Sequence, residues 1–232
     1  AAPNTTKYNE VVITGASTGI GAAIAHALAP HYKLLLAGRP SARLAEIAAE
    51  LSADTVPLDL SDTERVAEVV AAITELDVLV HNAGVAHPGR GGESTAAQCR
   101  DTFEVNVTGA VALTLAVLPA LRAARGQVVF INSGAGLNVS PGLASYSASK
   151  FAAKAFADSL RADEPLLRVT SIHPGRVDTG MQRGLVQYEG GDYDPAQFLT
   201  PQTVAQVVVQ AVRTPPDGHT HQVVIRPRGI LP

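Results

Sequence analysis

The stretch from Val11 to Gly21 has the sequence VVITGASTGIG, in which a short apolar run leads into three glycines spaced G-x-x-x-G-x-G. An Ala-rich helical pattern follows at about 19–30. Glycine permits positive φ angles and a close backbone approach, which a tight turn between strand and helix needs. Free N–H groups and the helix dipole at such a turn favour a pyrophosphate. No Gly-Lys-Ser/Thr follows, so the stretch is not a P-loop. It predicts a strand, a turn and a helix that either bind a dinucleotide or form only a tight turn.

Further apolar runs and helical patterns alternate along the rest of the chain. The predicted strands are 11–14, 34–37, 55–57, 78–80, 128–132, 169–173 and 222–225, and the predicted helices are 19–30, 41–51, 62–74, 95–124, 145–163 and 201–213. Alternation of this kind predicts an α/β fold, a Rossmann-type doubly wound parallel sheet of about seven strands with helices on both faces. No repeat or linker divides the chain, so we expect a single domain over 1–232.

One segment, 176–200, does not fit the alternation. It is rich in glycine and follows a predicted strand. Long loops in compact α/β domains are commonly functional, and loops at the carboxyl ends of parallel strands surround the ligand. We therefore expect 176–200 to be the substrate loop, with Tyr188, Tyr193 and Phe198 either in a lid or packed internally.

Composition excludes several classes of protein. The 232 residues are 46% hydrophobic and 17% charged, which is too apolar for a disordered chain. The formal net charge of -3 gives no basic excess for nucleic acid or an anionic membrane. A single cysteine, Cys99, favours a reducing compartment. Residues 1–9 lack an apolar signal-peptide core, and the weakly charged stretch 105–121 is shorter than the ~20 residues of a membrane span. We expect a cytoplasmic protein without membrane or nucleic-acid partners.

The histidines do not indicate a metal site. His219 and His221 are two residues apart, but the sequence shows no third ligand beside them. Protein zinc sites use three or four ligands. We therefore expect no metal, and we interpret both residues as surface histidines.

Several short motifs follow the glycine turn in a fixed order. They are Asn82-Ala83-Gly84, Asn106, Ser133, Tyr146-x-x-x-Lys150 and Pro174-Gly175. Together with Thr14-Gly15-x-x-x-Gly19-Ile20-Gly21, this order and spacing resembles the short-chain dehydrogenase/reductase family. The resemblance covers the chain from Val11 to about Val224.

The pair Tyr146 and Lys150 carries the predicted chemistry. A spacing of four places both side chains on one helix face. A phenol has a pKa of about 10, and a nearby ammonium is expected to lower it. Tyr146 would then act as general acid in reduction and as general base in oxidation. The resemblance implies that Lys150 also binds the nicotinamide ribose, that Ser133 holds the substrate oxygen, and that Asn106 binds a water of a proton relay.

The second predicted strand bears on the choice of cofactor. It ends Leu36-Ala37-Gly38-Arg39, without the carboxylate that commonly binds the ribose 2′-OH of NAD. A guanidinium suits a 2′-phosphate, so we expect NADP rather than NAD. The alternative is that Arg39 is only a solvated charge. With the resemblance, the expected cofactor-binding residues are Gly15, Ser17, Thr18, Gly19, Ile20, Gly21, Arg39, Asp59, Asn82, Ala83, Gly84, Tyr146, Lys150, Pro174, Gly175, Val177 and Thr179.

The sequence thus favours an NADP-dependent oxidoreductase that interconverts a carbonyl and a secondary alcohol of a small-molecule substrate. The alternative is a non-catalytic NADP-binding regulatory or scaffold protein. An epimerase or dehydratase of the same superfamily ranks lower, because the resemblance implies longer chains and another glycine spacing for those enzymes. The uncharged run 105–121 predicts a helix buried on more than one side, and the resemblance implies a homodimer or homotetramer.

Overall fold

Seven parallel strands form one sheet at the centre of the molecule, in the order β3-β2-β1-β4-β5-β6-β7. The computed structural model describes residues 9–229, so the expectation of no signal peptide concerns a segment that lies almost wholly outside the described residues. The strands are β1 (Glu10–Thr14), β2 (Lys33–Gly38), β3 (Asp54–Pro57), β4 (Val78–His81), β5 (Gln127–Ile131), β6 (Arg168–Pro174) and β7 (Gln222–Ile225). The predicted Rossmann-type sheet is confirmed.

Helices cover both faces of this sheet. They are α1 (Gly19–Leu28), α2 (Ala42–Glu50), α3 (Val66–Val69), α4 (Ala96–Phe103), α5 (Ala110–Ala124), α6 (Ala144–Asp163), α7 (Gly180–Glu189) and α8 (Pro201–Val212). Side chains alternate along each strand, so the central strands have an apolar residue for each face. In β1, Val12 joins a core with α5, whereas Val11 and Ile13 join a second core with α1 and α8.

The parallel arrangement brings the carboxyl ends of the strands to one edge of the sheet. The glycine turn follows β1, Asn82 follows β4, and Ser133 lies just after β5. Gly175 follows β6 and Arg226 follows β7. Loops at this edge are the usual site of ligand binding in open α/β sheets. The fold therefore places the predicted motifs side by side although they are far apart in the chain.

The predicted helix 62–74 is wrong in length. Only Val66–Val69 is helical, and hydrogen-bonded turns lie on both sides of it. Val69, Val70, Ile73 and Thr74 are β-branched, and such residues lose side-chain freedom in a helix. A single helical turn is enough to bury Val66 and Val70.

The segment 176–200 is also more regular than predicted. It contains α7 and a short 3₁₀ turn at Pro195–Gln197. The Thr179 side chain caps the start of α7, and Gly190 ends it with a φ of 75°. Gly180 and Gly184, which suggested a loop, lie inside the helix with no heavy atom within 4 Å of a Cβ built there. The rest of the segment is the expected loop.

The predicted helix 95–124 consists of α4, a π-helical stretch at Glu104–Gly109, and α5. By length and composition alone the whole helix Ala96–Ala124 could cross a membrane, whereas the expectation of a stretch too short to span concerned only 105–121. Core helices meet the same criterion, and here Leu113, Val117 and Leu121 are buried against the sheet.

The side chains of Leu115 and Phe151 on α5 and α6 are 57% and 43% exposed. Homo-oligomer formation and a cytoplasmic location both stay predictions.

A substitution in the glycine turn tests how closely β1 and α1 must approach. A Cβ on Gly21 would lie 2.1 Å from the carbonyl oxygen of Gly15. We expect Gly21→Ala to lower the free energy of unfolding by about 3 kcal/mol, because backbone has to move. Gly184→Ala is the control, and we expect a gain of about 0.5 kcal/mol from helix propensity. Urea unfolding measures both, and an equal effect of the two substitutions would contradict the close approach.

Candidate active site

The glycine turn has the geometry of a ligand-binding loop. Gly15 and Gly19 have φ angles of 63° and 56°, which L side chains rarely adopt. A Cβ on Gly15 would lie 2.9 Å from Cα of Ala83. Thr18, the N-cap of α1, makes no side-chain capping hydrogen bond. The first N–H groups of α1 are therefore available to an anionic ligand.

Hydrogen bonds from Thr14 and Asn82 fix this turn against the end of β4. Thr14 Oγ1 accepts from the backbone N–H of Asn82 and of Ala83, both at 3.0 Å. Asn82 Nδ2 donates to the carbonyl of Gly15 at 3.0 Å. Asn82, Ala83 and Gly84 thus contribute to the shape of the cofactor loop, whether or not they also touch a ligand.

Arg39 and Asp59 lie at the ends of β2 and β3, beyond the glycine turn. Both are exposed. The Ser61 N–H and hydroxyl bond Asp59 Oδ1, and with Arg39 nearby they lower the pKa of the Asp59 carboxyl. An ionised Asp59 near Arg39 is compatible with the cofactor binding that is expected of both residues. Neither residue lines the cavity described below.

Asn106 lies in the π-helical stretch between α4 and α5. Its Oδ1 accepts from Val85 N–H at 2.8 Å, and its Nδ2 donates to Val85 O and to Ser149 Oγ. A π-helical turn inserts a residue in a helix and is often found at functional sites. Here it directs a buried amide toward the loop after β4 and toward α6, the helix that carries Tyr146.

Tyr146 and Lys150 lie one turn apart on α6, as predicted. Lys150 Nζ is 5.6 Å from the centre of the Tyr146 ring and donates to the carbonyl of Ile131 at 3.2 Å. Lys150 is only 7% exposed, and burial lowers the pKa of its ammonium to about 8. The buried ammonium is thus held at the ring by one backbone carbonyl.

The expected lowering of the Tyr146 pKa is wrong for the protein without cofactor. Burial raises the pKa of the Tyr146 phenol, and a hydrogen bond with Ser133 offsets this only in part. Desolvation disfavours the phenolate more than the Ser133 hydrogen bond favours it. Tyr146 is therefore protonated at neutral pH.

Ser133 is held from both sides at the end of β5. Its N–H donates to Asn132 Oδ1 at 2.8 Å, and its carbonyl accepts from His173 Nδ1 at 2.9 Å. Burial lowers the pKa of His173, so the imidazole is neutral with its proton on Nδ1. Asn132 also donates to the carbonyl of Lys150 at 3.0 Å. The backbone that carries Ser133 is thereby tied to the helix that carries Tyr146.

A cavity of about 740 Å³ opens beside these residues. Of the predicted residues, those that line it are Ser133, Tyr146, Ile20, Pro174, Gly175, Val177 and Thr179. Asn106 and Lys150 do not line the cavity. A Cβ on Gly84 would lie 3.4 Å from Asn106 Oδ1 and 3.9 Å from Lys150 Nζ, so these two residues are near each other.

The glycine turn meets the segment after β6 at the mouth of the cavity. A Cβ on Gly19 would lie 3.4 Å from Cγ2 of Thr179. Ser17 and Thr18 also belong to the turn, but they do not line the cavity. The loop and Thr179 therefore face the same space, as expected for residues that contact one cofactor.

The helix α7 covers one side of the cavity. Met181 and Leu185 on α7 line it, and a Cβ on Gly142 would lie 3.1 Å from the ring of Tyr188. Tyr193 packs on Phe198 with ring centres 5.1 Å apart, and its hydroxyl donates to Asp178. The three aromatic residues therefore support α7 and its loop, and none of them lines the cavity.

Sequence reasoning missed several residues of the site. Ser149 bonds both Asn106 Nδ2 and the carbonyl of Tyr146, and Asn132 bonds Ser133 and Lys150. Asn132 directly precedes Ser133 at the end of a strand, which is a usable signal. Ser149, one serine among several on α6, gives none.

Comparison with known proteins assigns the family. A family model for short chain dehydrogenase matches residues 9–190. The dehydrogenase/reductase SDR family member 7B of Xenopus laevis is 36% identical, over 87% of this chain and 70% of that protein. An uncharacterized oxidoreductase of Staphylococcus saprophyticus is 32% identical, over 93% of this chain and 96% of that protein.

Solved structures agree with these relatives. An alcohol dehydrogenase from the archaeon Thermococcus sibiricus, complexed with 5-hydroxy-NADP, has a TM-score of 0.86 and 30% identity over 97% of this chain and 98% of that one. Actinorhodin polyketide ketoreductase with NADPH has a TM-score of 0.86 and 25% identity over 94% and 95%. The chain belongs to the short-chain dehydrogenase/reductase family of oxidoreductases.

The buried Lys150 should cost stability. Its folded-state pKa of about 8 lies below its ordinary value of 10.5, so the unfolded chain holds more protons between these values. Stability therefore rises as the pH increases from about 8 to 10.5. We expect Lys150→Met to remove this rise. At pH 7 the substitution should stabilise the fold by about 2 kcal/mol, because it removes the cost of burying the ammonium and loses only its hydrogen bond to Ile131.

Urea unfolding of both proteins across this pH range measures the effect. The difference between them isolates Lys150 from other titrating groups. A less stable Lys150→Met variant at pH 7 would show that the ammonium contributes more through its contacts than burial removes.

Proposed function

We propose that the protein is an NADP-dependent oxidoreductase that interconverts a carbonyl and a secondary alcohol. The observation that carries the proposal is the wall of the cavity beside Tyr146. There the side chain of Ser133 is near enough to Tyr146 to favour its phenolate, and the buried ammonium of Lys150 lies 5.6 Å from the centre of the tyrosine ring. A serine, a tyrosine and a cation in this arrangement can bind an oxygen atom and exchange one proton with it.

The residues at the cavity mouth fit a dinucleotide. The turn has two glycines with positive φ, α1 begins without a side-chain cap, and Thr179 faces the turn. When bound, the cofactor would supply the hydride as NADPH and accept it as NADP⁺. Arg39 is the residue we expect at its 2′-phosphate. The alcohol dehydrogenase and ketoreductase named above were solved with NADP-type cofactors, which supports the same assignment here.

Tyr146 is suited to donate the proton in carbonyl reduction. Burial keeps the phenol protonated at neutral pH, so it begins as an acid. As its proton passes to the carbonyl oxygen, negative charge develops on Tyr146 Oη, and the ammonium of Lys150 stabilises that charge. Ser133 Oγ bonds the same substrate oxygen and orients it. In alcohol oxidation the same groups act in reverse, with Tyr146 as the base.

Lys150 can restore the proton because its own pKa is near 8. An ammonium with this pKa can both hold and release a proton under physiological conditions. Asn106 is held by two backbone contacts and by Ser149, close to Lys150. We propose that Asn106 positions a water between Lys150 and solvent.

Tyr146→Phe tests the proposed acid. The variant keeps the ring but loses the hydroxyl, so we expect kcat/KM for NADPH-dependent carbonyl reduction to fall about 10²- to 10⁴-fold. The affinity for NADPH, measured by fluorescence titration, should change little. Tyr32→Phe is the control, since Tyr32 lies before β2 at the opposite edge of the sheet. An active enzyme whose Tyr146→Phe variant keeps the full rate would rule out the mechanism. Tight NADPH binding without turnover on a broad carbonyl panel would support the non-catalytic alternative.

Arg39→Ala tests the cofactor preference. We expect it to weaken NADPH binding roughly 10- to 100-fold, the worth of charge-assisted hydrogen bonds to a phosphate. NADH lacks that phosphate, so its binding should hardly change. Arg213→Ala, at an exposed arginine just after α8, is the matched control. Equal losses for NADPH and NADH would reject the phosphate role of Arg39.

A further inference from the structure

The charged side chains that line the cavity are all of one sign. Among the described residues that line it, the ionisable side chains are Tyr146, Arg176 and Arg226, and no carboxylate is present. Most of the remaining wall is apolar or small, including Met181 and Leu185. A cavity with cations and no acid attracts a negatively charged ligand.

Arg176 is not free to bind such a ligand. Its Nη2 donates to Glu189 Oε2 at 2.8 Å. With the amide oriented to present its oxygen, Gln182 accepts from Nη2 and Nε of Arg176 at 2.6 and 2.8 Å. The guanidinium also lies over the ring of Phe198, 5.3 Å from its centre. Arg176 therefore uses its donors to fix α7 and the loop that follows.

Arg226 differs from Arg176 in having no such partner. Within residues 9–229 its side chain makes no hydrogen bond or ion pair, although it lines the cavity. It directly follows β7, whose last residue, Ile225, pairs with Pro174. A Cβ on Gly175 would lie 3.5 Å from Cγ of Arg226, so the stem of the arginine runs beside the backbone after β6.

The place of Arg226 relates it to the proposed reaction centre. A Cβ on Gly134, the residue after Ser133, would lie 3.7 Å from the carbonyl oxygen of Pro174. Ser133, the backbone after β6 and Arg226 thus follow one another along the carboxyl edge of β5, β6 and β7. Arg39, the residue expected at the cofactor phosphate, follows β2 on the other side of the glycine turn.

We propose that Arg226 binds a carboxylate of the substrate, so that the enzyme acts on oxo acids and the corresponding hydroxy acids. This inference rests on the proposed function. One guanidinium matches one carboxylate in charge and in its two-pronged geometry. A phosphate monoester carries nearly two charges at neutral pH and would leave one of them uncompensated at Arg226. The apolar wall suits the aliphatic part of such an acid.

The test compares acids with their uncharged esters. Pyruvate, acetoacetate and levulinate and their methyl esters place a ketone at different distances from the carboxyl group, and kcat/KM is measured with NADPH. We expect the wild type to prefer at least one acid over its ester by roughly tenfold or more. Arg226→Gln should bring that ratio close to one, and Arg226→Lys should keep part of it. Arg228→Gln is the matched control, because Arg228 is exposed like Arg226 but does not line the cavity.

Each outcome bears on the inference. A wild type that reduces acids and esters equally, or an Arg226→Gln variant that keeps the preference, would overturn it while leaving the proposed function intact. Loss on acids and esters alike together with weaker NADPH binding would assign Arg226 to the cofactor and overturn it as well.

Calorimetry separates the inference from the proposed function. The titrants are the same three acids and their methyl esters, added to the protein with NADP⁺. If no ketone is reduced, binding of one acid that is tighter than that of its ester and is weakened by Arg226→Gln would support the carboxylate site alone. Acid binding that is no tighter than ester binding, or that Arg226→Gln leaves unchanged, would reject the site.

Discussion

The close approach of β1, α1 and the end of β4 is the constraint on which the rest of the site depends. The carbonyl oxygen of Gly15 lies so close to Gly21 that Gly21 has no room for a side chain. Asn82 Nδ2 donates to the same carbonyl. Thr14 adds two hydrogen bonds to the same strand end. These contacts set the direction of α1, so that its free N–H groups face the carboxyl edge of the sheet, where every other predicted motif lies.

A second set of hydrogen bonds joins the elements that carry Ser133, Tyr146 and Lys150. Asn106 connects the loop after β4 to Ser149 on α6, and Asn132 connects β5 to the backbone of Lys150. These amides are largely occupied by backbone partners. The proposed function assigns the substrate oxygen to the Tyr146 hydroxyl and the resupply of its proton to the Lys150 ammonium. Holding that ammonium out of water opposes folding, and the paired amides around it stabilise the arrangement.

The sequence predicts most of this architecture and less of its detail. All seven strands were predictable because runs buried on both faces have a simple pattern, and the spacing of Tyr146 and Lys150 places both on one helix face. The lengths of α3 and α7 were not predictable, because β-branched residues and glycines give no clear signal where tertiary contacts determine how far a helix extends. The pKa of Tyr146 was predicted in the wrong direction. Charge proximity can be inferred from spacing, but desolvation depends on what the whole fold packs around the ring.

The two arginines at the cavity show how one residue type takes two roles at a single edge. Arg176 follows Pro174-Gly175 and meets Glu189 and Gln182, both on α7, so the residues of that helix neutralise it. Arg226 directly follows the next strand, β7, where neither α7 nor the loop after it supplies a carboxylate. The helix that covers the cavity, α7, therefore neutralises the charge of Arg176 and leaves that of Arg226. On the proposed function, the glycine turn binds the cofactor at one side of the sheet, and Arg226 at the far strand selects the substrate.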